Sequence, residues 1–549
     1  MRGTMKKTVT VFALAALLLF GCAPQAPLLD QTPLPETTAA PLAAVKLDDD
    51  YRTFYEIFVG SFYDSDGDGM GDLRGITQKL DYINDGQTSN TSLHAGGIWL
   101  MPIMSGYSYH KYDVVDYYAV DADYGTLADF EALSAECHAR DVKLIIDLPI
   151  NHTSSRHPWF VSACASLAAG ECDGATDCTF DSPCQKHNPY VEYYNFSQTT
   201  KSGYHPVTNA PGWYFEGQFY DGMPDLNLDS NLVQQEILGI CSFWLEHGAD
   251  GFRLDAVTSY YTGATGRNTA FLAWLTASLR EIDPTVYLVG EAWSDAGTVK
   301  ALYESGVPSL FNFPFAQAGG KIINAVRSGN GEKFSQTLEQ WDTELHARMP
   351  SAIDAPFLSN HDIVRSAGAL GRDDVMIKQA AAVYLLLPGN PFIYYGEEIC
   401  MTGGSENDPN KRMPLIWSLS DPVGITDEPV GASSKETVEA GVAEQMEDPD
   451  SILRFYIDVM NLKNACPALA RGRVKAIMTG TEAILAYDVT YDGAVWTVLH
   501  NLGTEPVPLE DFAQREVFSM LAAGGEMPRM EDAALVLTPS STVVLLPVK

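Results

Sequence analysis

Basic charge is scarce in this sequence. Lys and Arg number 35 against 71 Asp and Glu, leaving a formal charge of −36 over 549 residues. So acidic a surface repels phosphate backbones, which argues against nucleic acid as a partner and leaves cations and neutral substrates open. Long apolar runs are equally rare. Val9–Phe20, preceded by Arg2, Lys6 and Lys7, is too short to cross a bilayer as a helix and reads as the apolar part of an export signal. No later run is long and apolar enough to cross a membrane. Paired C-x-x-C motifs are missing from the cysteine cluster: Cys164, Cys172, Cys178 and Cys184 are spaced by eight, six and six residues. That spacing disfavours a zinc ribbon and favours disulfides in an oxidising compartment, with the pairing open. Cys137, Cys241, Cys400 and Cys466 lie in apolar patterns and read as core residues.

What is present is a globular composition, 46% hydrophobic and 19% charged, in a chain too long for one domain. Short, nearly continuous apolar runs predict strands near 54–60, 97–101, 143–148, 251–255, 287–290, 309–313, 355–358 and 391–395. Runs of this kind suit parallel strands buried on both faces. Helical periodicity lies between them, over 73–83, 127–139, 233–247, 270–282 and 375–387, and a last barrel helix follows over 452–464. The alternation predicts an α/β fold, a (β/α)₈ TIM barrel. Only the gap between the third and fourth strands is too long for one crossover helix, so it predicts an inserted subdomain over the barrel mouth. Three further strands near 483–489, 494–501 and 541–546, with Asp492-Gly493 as a turn, predict a C-terminal antiparallel β-sandwich. The expected division is a signal peptide over 1–22, a linker over 23–46, barrel segments over 47–152 and 223–466, an inserted domain B over 153–222 and the sandwich over 467–549.

Four acidic segments carry the chemistry: Asp147–His152 (DLPINH), Gly251–Ala256 (GFRLDA), Gly290–Trp293 (GEAW) and Phe357–Asp362 (FLSNHD). Each follows an apolar run, so each places its polar groups where a strand ends. Side chains alternate along a strand, which puts Arg253 and Asp255 on one face. A guanidinium beside a carboxylate favours its charged form, as a nucleophile requires. Glu291 ends its own run, and Trp293 is expected to desolvate it, raising its pKa toward that of a proton donor. Taken singly, each segment could be an ordinary ion pair or a satisfied histidine. Together, at the ends of the third, fourth, fifth and seventh strands, they predict one polar cluster at the mouth of a barrel.

These segments, in content and order, resemble the signature regions of the α-amylase family, glycoside hydrolase family 13. The resemblance runs from about Tyr51 to the C-terminal sandwich. It implies a retaining mechanism in which Asp255 is the nucleophile, Glu291 the general acid/base and Asp362 the third carboxylate. It implies that Arg253, His152, His361 and Asp147 hold the sugar in the cleavage subsite. His110 and Tyr112, in Ser108–Tyr118, resemble residues contacting that same sugar. Met223–Asn227 (MPDLN) resembles the family's fifth region as found in members intermediate between oligo-1,6-glucosidases and neopullulanases. A retaining pair requires carboxyl groups about 5–5.5 Å apart.

Asp64, Asp66 and Asp68, followed by Asp72, alternate in a Gly-rich loop. Hard cations are bound by such oxygen sets. An EF-hand is ruled out, because the twelfth loop position is Gly75 instead of Glu. The loop resembles the calcium loop after the first strand of several α-amylase relatives, in which the carbonyl at the Met70 position is also a ligand, so Ca²⁺ is the expected cofactor. A second calcium, held in many amylases by the Asn of the first region and a His four residues after the nucleophile, is not expected: Asn151 is present, but the later position is Ser259. Leu19-Phe20-Gly21-Cys22 resembles a bacterial lipoprotein signal, which implies export and a lipid anchor on the cell envelope, with secretion after cleavage as the alternative. The resemblance implies a monomeric hydrolase of α-1,4 bonds in starch and maltodextrins, endo-acting by preference. Ala256 supports that linkage, since relatives cutting α-1,6 bonds often carry Val there. An α-glucosidase, a neopullulanase-like enzyme or a transglycosylase is the alternative within the family. A non-catalytic maltodextrin-binding lipoprotein is the alternative from another class.

Overall fold

A computed structural model describes Val45 and residues 53–87, 89–171, 184–403 and 407–548. Eight parallel strands form its centre: β1 (Phe54–Ile57), β2 (Gly97–Leu100), β3 (Lys143–Leu148), β4 (Gly251–Leu254), β5 (Tyr287–Gly290), β6 (Ser309–Phe311), β7 (Ile353–Ala355) and β8 (Phe392–Tyr394). They pair in chain order, with β8 returning to β1. A bridge between Phe357 and Phe392, with Phe392 N–H donating to Pro356 O over 3.0 Å, closes the ring between β7 and β8. The result is the expected (β/α)₈ barrel.

Alternation along the strands sorts two cores. Phe54, Trp99, Ile145, Val289, Phe311 and Phe392 point inward and fill the lower barrel. Tyr55, Ile98, Leu144, Ile146, Phe252, Leu254 and Leu288 point outward against the helices. The Phe54 ring stacks on Phe392 with centroids 4.6 Å apart. Gly97 makes room for it, because a Cβ there would stand 2.4 Å from the Phe54 ring. One pleat higher, the inward positions become Glu56, Asp147 and Arg253. The packed apolar layer is thus the floor on which the polar cluster rests.

The helix over Leu127–Ala139 begins at a capping box between Thr126 and Asp129, which fixes its start at the predicted residue. The helix predicted over 73–83 is interrupted. Leu73–Gln78 and Leu80–Ile83 meet at Lys79, whose backbone turns to ψ 8° and whose ammonium lies 4.2 Å from the Tyr63 ring centroid and 4.5 Å from that of Trp417. The seventh strand lies earlier than predicted: Phe357–Leu358 have left the ladder apart from the closing bridge. Helices Lys321–Ser328 and Gly331–Arg348, between β6 and β7, were not predicted.

After β3 the chain forms a helix, Pro158–Ala169, and a small antiparallel sheet of Phe196–Ser197, Tyr204–Pro206 and Tyr214–Glu216. Bridges His152↔Asp225 and Tyr194↔Leu226 tie this excursion back to the barrel mouth. At the other end of the chain, five antiparallel strands and three more enclose Leu499, Leu535, Leu537 and Val543. Asp492 and Gly493 both take positive φ, 48° and 74°, as a two-residue hairpin turn requires. No disulfide joins two of the described cysteines. Cys164 and Cys184 are both buried, Cys172 and Cys178 lie outside the described residues, and so do the expected signal and linker up to Ala44. Cys137, Cys241 and Cys466 are core residues, whereas Cys400 is partly exposed. Among the described residues no helix is long and apolar enough to cross a membrane.

Candidate active site

The strand ends converge on Arg253, which is fully buried. Its Nη1 lies 2.5 Å from Asp255 Oδ1 and 2.8 Å from Asp147 Oδ1, and its Nη2 lies 3.2 Å from Glu291 Oε1. One guanidinium therefore holds carboxylates from the ends of β3, β4 and β5. The Arg253–Asp147 contact follows from register, since the two residues are partners across β3 and β4.

Glu291 folds back over the end of β4, where its Oε2 accepts the Ala256 N–H over 2.8 Å. Burial pushes its carboxyl up to about 8, against the pull of Arg253 and with the help of Asp255 and Asp362. Trp293 lines the same cleft as Glu291. Three residues beyond the strand end, its ring turns to the rim, stacks on Phe313 with centroids 5.2 Å apart and stays half-exposed. Asp147 is also pushed up by burial, to about 7, with Arg253 opposing.

Asp362 has the opposite environment. Burial raises its pKa, but the His361 charge and hydrogen bond, then Arg412 and Arg253, outweigh burial and hold the carboxyl far below the ordinary carboxylate range. His361 Nε2 lies 3.0 Å from Asp362 Oδ2 and 2.7 Å from Tyr112 Oη. Tyr112 in turn donates to Asp147 Oδ2 over 3.0 Å. His110 Nδ1 accepts the Tyr112 N–H over 3.1 Å, and burial, then Arg412, lowers its pKa to about 4, so the ring is neutral. His152 is buried, its Nε2 has no hydrogen-bond partner, and its ring lies edge-on to Phe219.

These groups surround one open cleft of about 530 Å³. It is lined by Asp255, Glu291 and Asp362, by His110, Tyr112 and His152, and by Phe219, Met223 and Trp293. Arg253 and His361 lie immediately beneath. Sequence reasoning missed one flank of it. Arg412 Nη2 lies 3.0 Å from Asp362 Oδ1, and its Nη1 lies 2.5 Å from Asp408 Oδ2 and 2.5 Å from Tyr109 Oη. Asp408 and Arg412 stand four residues apart beyond β8, a visible ion-pair spacing. They belong to no apolar run that would have announced a strand end.

The acidic loop after β1 lies apart from the cleft. Gly67 and Gly69, at φ 87° and 93°, curl it around Asp64, whose carboxylate accepts the N–H groups of Asp66, Gly67 and Gly69. Oxygens of Asp64, Asp66 and Asp72 lie within 4.8 Å of one another. Asp68 stands outside that group and accepts the Met70 N–H over 2.8 Å. Three converging carboxylates are a donor set that fits a hard cation such as Ca²⁺.

A family model described as the α-amylase catalytic domain matches residues 56–472. Alpha-amylase 3 of Dictyoglomus thermophilum is 36% identical over 505 residues, covering 90% of this chain and 92% of that protein. Among solved structures, Eubacterium rectale Amy13B superposes with a TM-score of 0.85 at 39% identity, covering 92% of this chain and 98% of that one. An α-amylase from H. orenii does so with a TM-score of 0.78 at 35% identity, over 91% and 100%. The family model and these relatives define the chain as a glycosidase. The chain belongs to the α-amylase family, glycoside hydrolase family 13, and is a glycosidase acting on α-glucans.

Proposed function

We propose that the chain is a retaining endo-α-amylase that cuts α-1,4 bonds of starch and maltodextrins. The observation that carries this reading is three carboxylates on one cleft in different settings: Asp255 against Arg253, Glu291 buried against the Ala256 N–H, and Asp362 between His361 and Arg412. In the first step Asp255 attacks the anomeric carbon as Glu291 gives its proton to the departing oxygen. The glycosidic C–O bond breaks and an ester forms to Asp255. In the second step water attacks the same carbon, Glu291 takes the water's proton, and Asp255 leaves. Asp362 faces the positive charge that develops in the transition state of each step, and Arg253 holds the Asp255 carboxylate in place. His110, Tyr112, His152 and His361 orient the sugar, and Asp147 fixes Arg253 and Tyr112.

An exo-acting reading within the family has one point in its favour. The Arg412–Asp408–Tyr109 cluster stands across one flank of the cleft and would restrict a long glucan there. Product patterns separate the two. Early appearance of mixed maltooligosaccharides from starch supports endo action. Glucose alone from the first minutes overturns it, and panose from pullulan supports the neopullulanase-like variant.

Ca²⁺ is the cation we assign to Asp64, Asp66 and Asp72. It would stiffen the loop that follows β1 and would take no part in bond cleavage. We further infer export with a lipid on Cys22, which rests on the signal-like sequence before it.

A further inference from the structure

Glu56 has no place in the mechanism so far. It lies on β1 between Tyr55 and Ile57, which face the outer core, so its side chain points into the barrel. It is almost completely buried, lies beneath the cleft and is not among its lining residues. Its Oε1 sits 2.6 Å from His361 Nδ1. The opposite ring nitrogen faces Asp362 and the Tyr112 hydroxyl. The imidazole is therefore clamped between two carboxylates from different parts of the chain.

Only a doubly protonated ring can donate to both. If His361 kept a single proton on Nδ1, the Nε2 lone pair would face Asp362 Oδ2, and attraction would become repulsion. Asp362 would then keep Arg412 as its one cation in direct contact, with Arg253 acting from a greater distance. The charged and titratable groups facing Glu56 are His361 and Asp362 from beyond β7, Arg253 from β4 and Tyr394 from β8. Of these, only His361 is in hydrogen-bond contact with it.

We propose that Glu56 is a positioning residue that keeps His361 an imidazolium through neutral pH and thereby fixes the charge and orientation of Asp362. Electrostatics agrees with the geometry. Burial lowers the pKa of His361, yet Asp362 and then Glu56 lift it to about 9. Burial raises Glu56, with His361 and Arg253 opposing. No contact between Glu56 and the sugar is required, so its influence on turnover runs entirely through the histidine.

The proposal rests on the glucan-hydrolase reading for its consequence, but its first test needs no substrate. Nitrogen-15 spectra of the histidine rings in the intact chain, with His361 assigned by its loss in H361Q, report its ionisation. His361 is expected to be doubly protonated at pH 7.5 in the unaltered protein. In the near-isosteric variant E56Q it is expected to titrate at least about one pH unit lower, since one of its two carboxylates is gone. A neutral His361 at pH 7.5 in the unaltered protein overturns the proposal without any variant. So does an equal titration in E56Q. The second readout is kcat/KM on soluble starch from pH 5 to pH 9. E56Q is expected to lose about fivefold more than the unaltered enzyme between pH 5 and pH 9. A profile that is lower but parallel means a merely structural role and also overturns the proposal. Failure of the unaltered protein to release reducing sugar at any pH would sink the hydrolase reading, while the ring titration would still decide the charge on His361.

Discussion

Ala256 donates its backbone N–H to Glu291 Oε2 over 2.8 Å, and it does so with φ at +47°. The residue after the proposed nucleophile thus holds the proposed acid, from a backbone region that non-glycine residues seldom occupy. The two chemical roles are coupled through one peptide unit. A Val side chain at this position would crowd the cleft wall beside Asp255. Ala256→Val is expected to lower the rate on α-1,4 bonds and to raise the ratio of α-1,6 to α-1,4 cleavage several-fold, read on pullulan and isomaltotriose against maltotriose. An unchanged or smaller ratio would show that Ala256 does not set linkage preference.

Removing either proposed catalytic carboxylate is the most direct check of the mechanism. Asp255→Asn is expected to lower kcat on starch by about 10⁴-fold or more, because no covalent ester can form. Glu291→Gln is expected to cost about 10²–10⁴-fold on starch. It should cost much less on substrates whose leaving group departs without a proton, such as nitrophenyl glycosides. Equal losses on both substrates would deny Glu291 the acid role.

The pH profile has a definite sign. Glu291 must be protonated to act, and its carboxyl stands at about 8. Turnover should hold through neutral pH and fall as pH rises past about 8, one decade per unit. The same shift makes a stability statement. A carboxyl raised from 4.5 in the unfolded chain to about 8 in the fold stabilises fully below 4.5, and that contribution is lost as pH rises to 8. Thermal midpoints measured from pH 5 to pH 8.5 should therefore share part of the alkaline decline. An alkaline fall that begins below pH 6 would refute this environment for Glu291.

The Arg412 flank invites a substitution of its own. Arg412→Met strips Asp362 of one of the two cations in direct contact with it and leaves Asp408 without its arginine. A drop in kcat/KM of about 10²-fold is expected, with Arg412→Lys intermediate. Kinetics indistinguishable from the unaltered enzyme would mean that His361 alone suffices to hold Asp362.

Cation binding is tested by stability. Chelation should lower the thermal midpoint by roughly 2–5 °C, with recovery on adding Ca²⁺, because a ligand bound only by the folded chain stabilises it. Asp64→Asn should start from the lower midpoint and ignore the chelator. A shift of equal size in that variant would place the cation elsewhere.

Much of this molecule is readable along the chain. GFRLDA and DLPINH end buried apolar runs, and a period of two decides which of their residues face inward. The lumen position of Arg253 and Asp147 therefore follows from local pattern. FLSNHD was legible as chemistry but not as geometry: its residues have left the ladder, and only the closing bridge to Phe392 betrays the barrel. Trp293 was legible as a neighbour of Glu291, but its stacking on Phe313 was not, because periodicity cannot say how a side chain turns once its strand has ended. Glu56 was invisible as a functional group. A lone carboxylate inside an apolar strand signals nothing until the partner 305 residues away is brought beside it.

The sequence by itself determined the alternating layers, the order of the acidic segments and the curl of the Gly-rich loop, since each depends on residues close in the chain. Tertiary structure alone decided which groups share a proton or a charge: Arg253 among three carboxylates, His361 between Glu56 and Asp362, Arg412 across the flank. Those relations depend on distance and burial, and both arise only when the barrel closes.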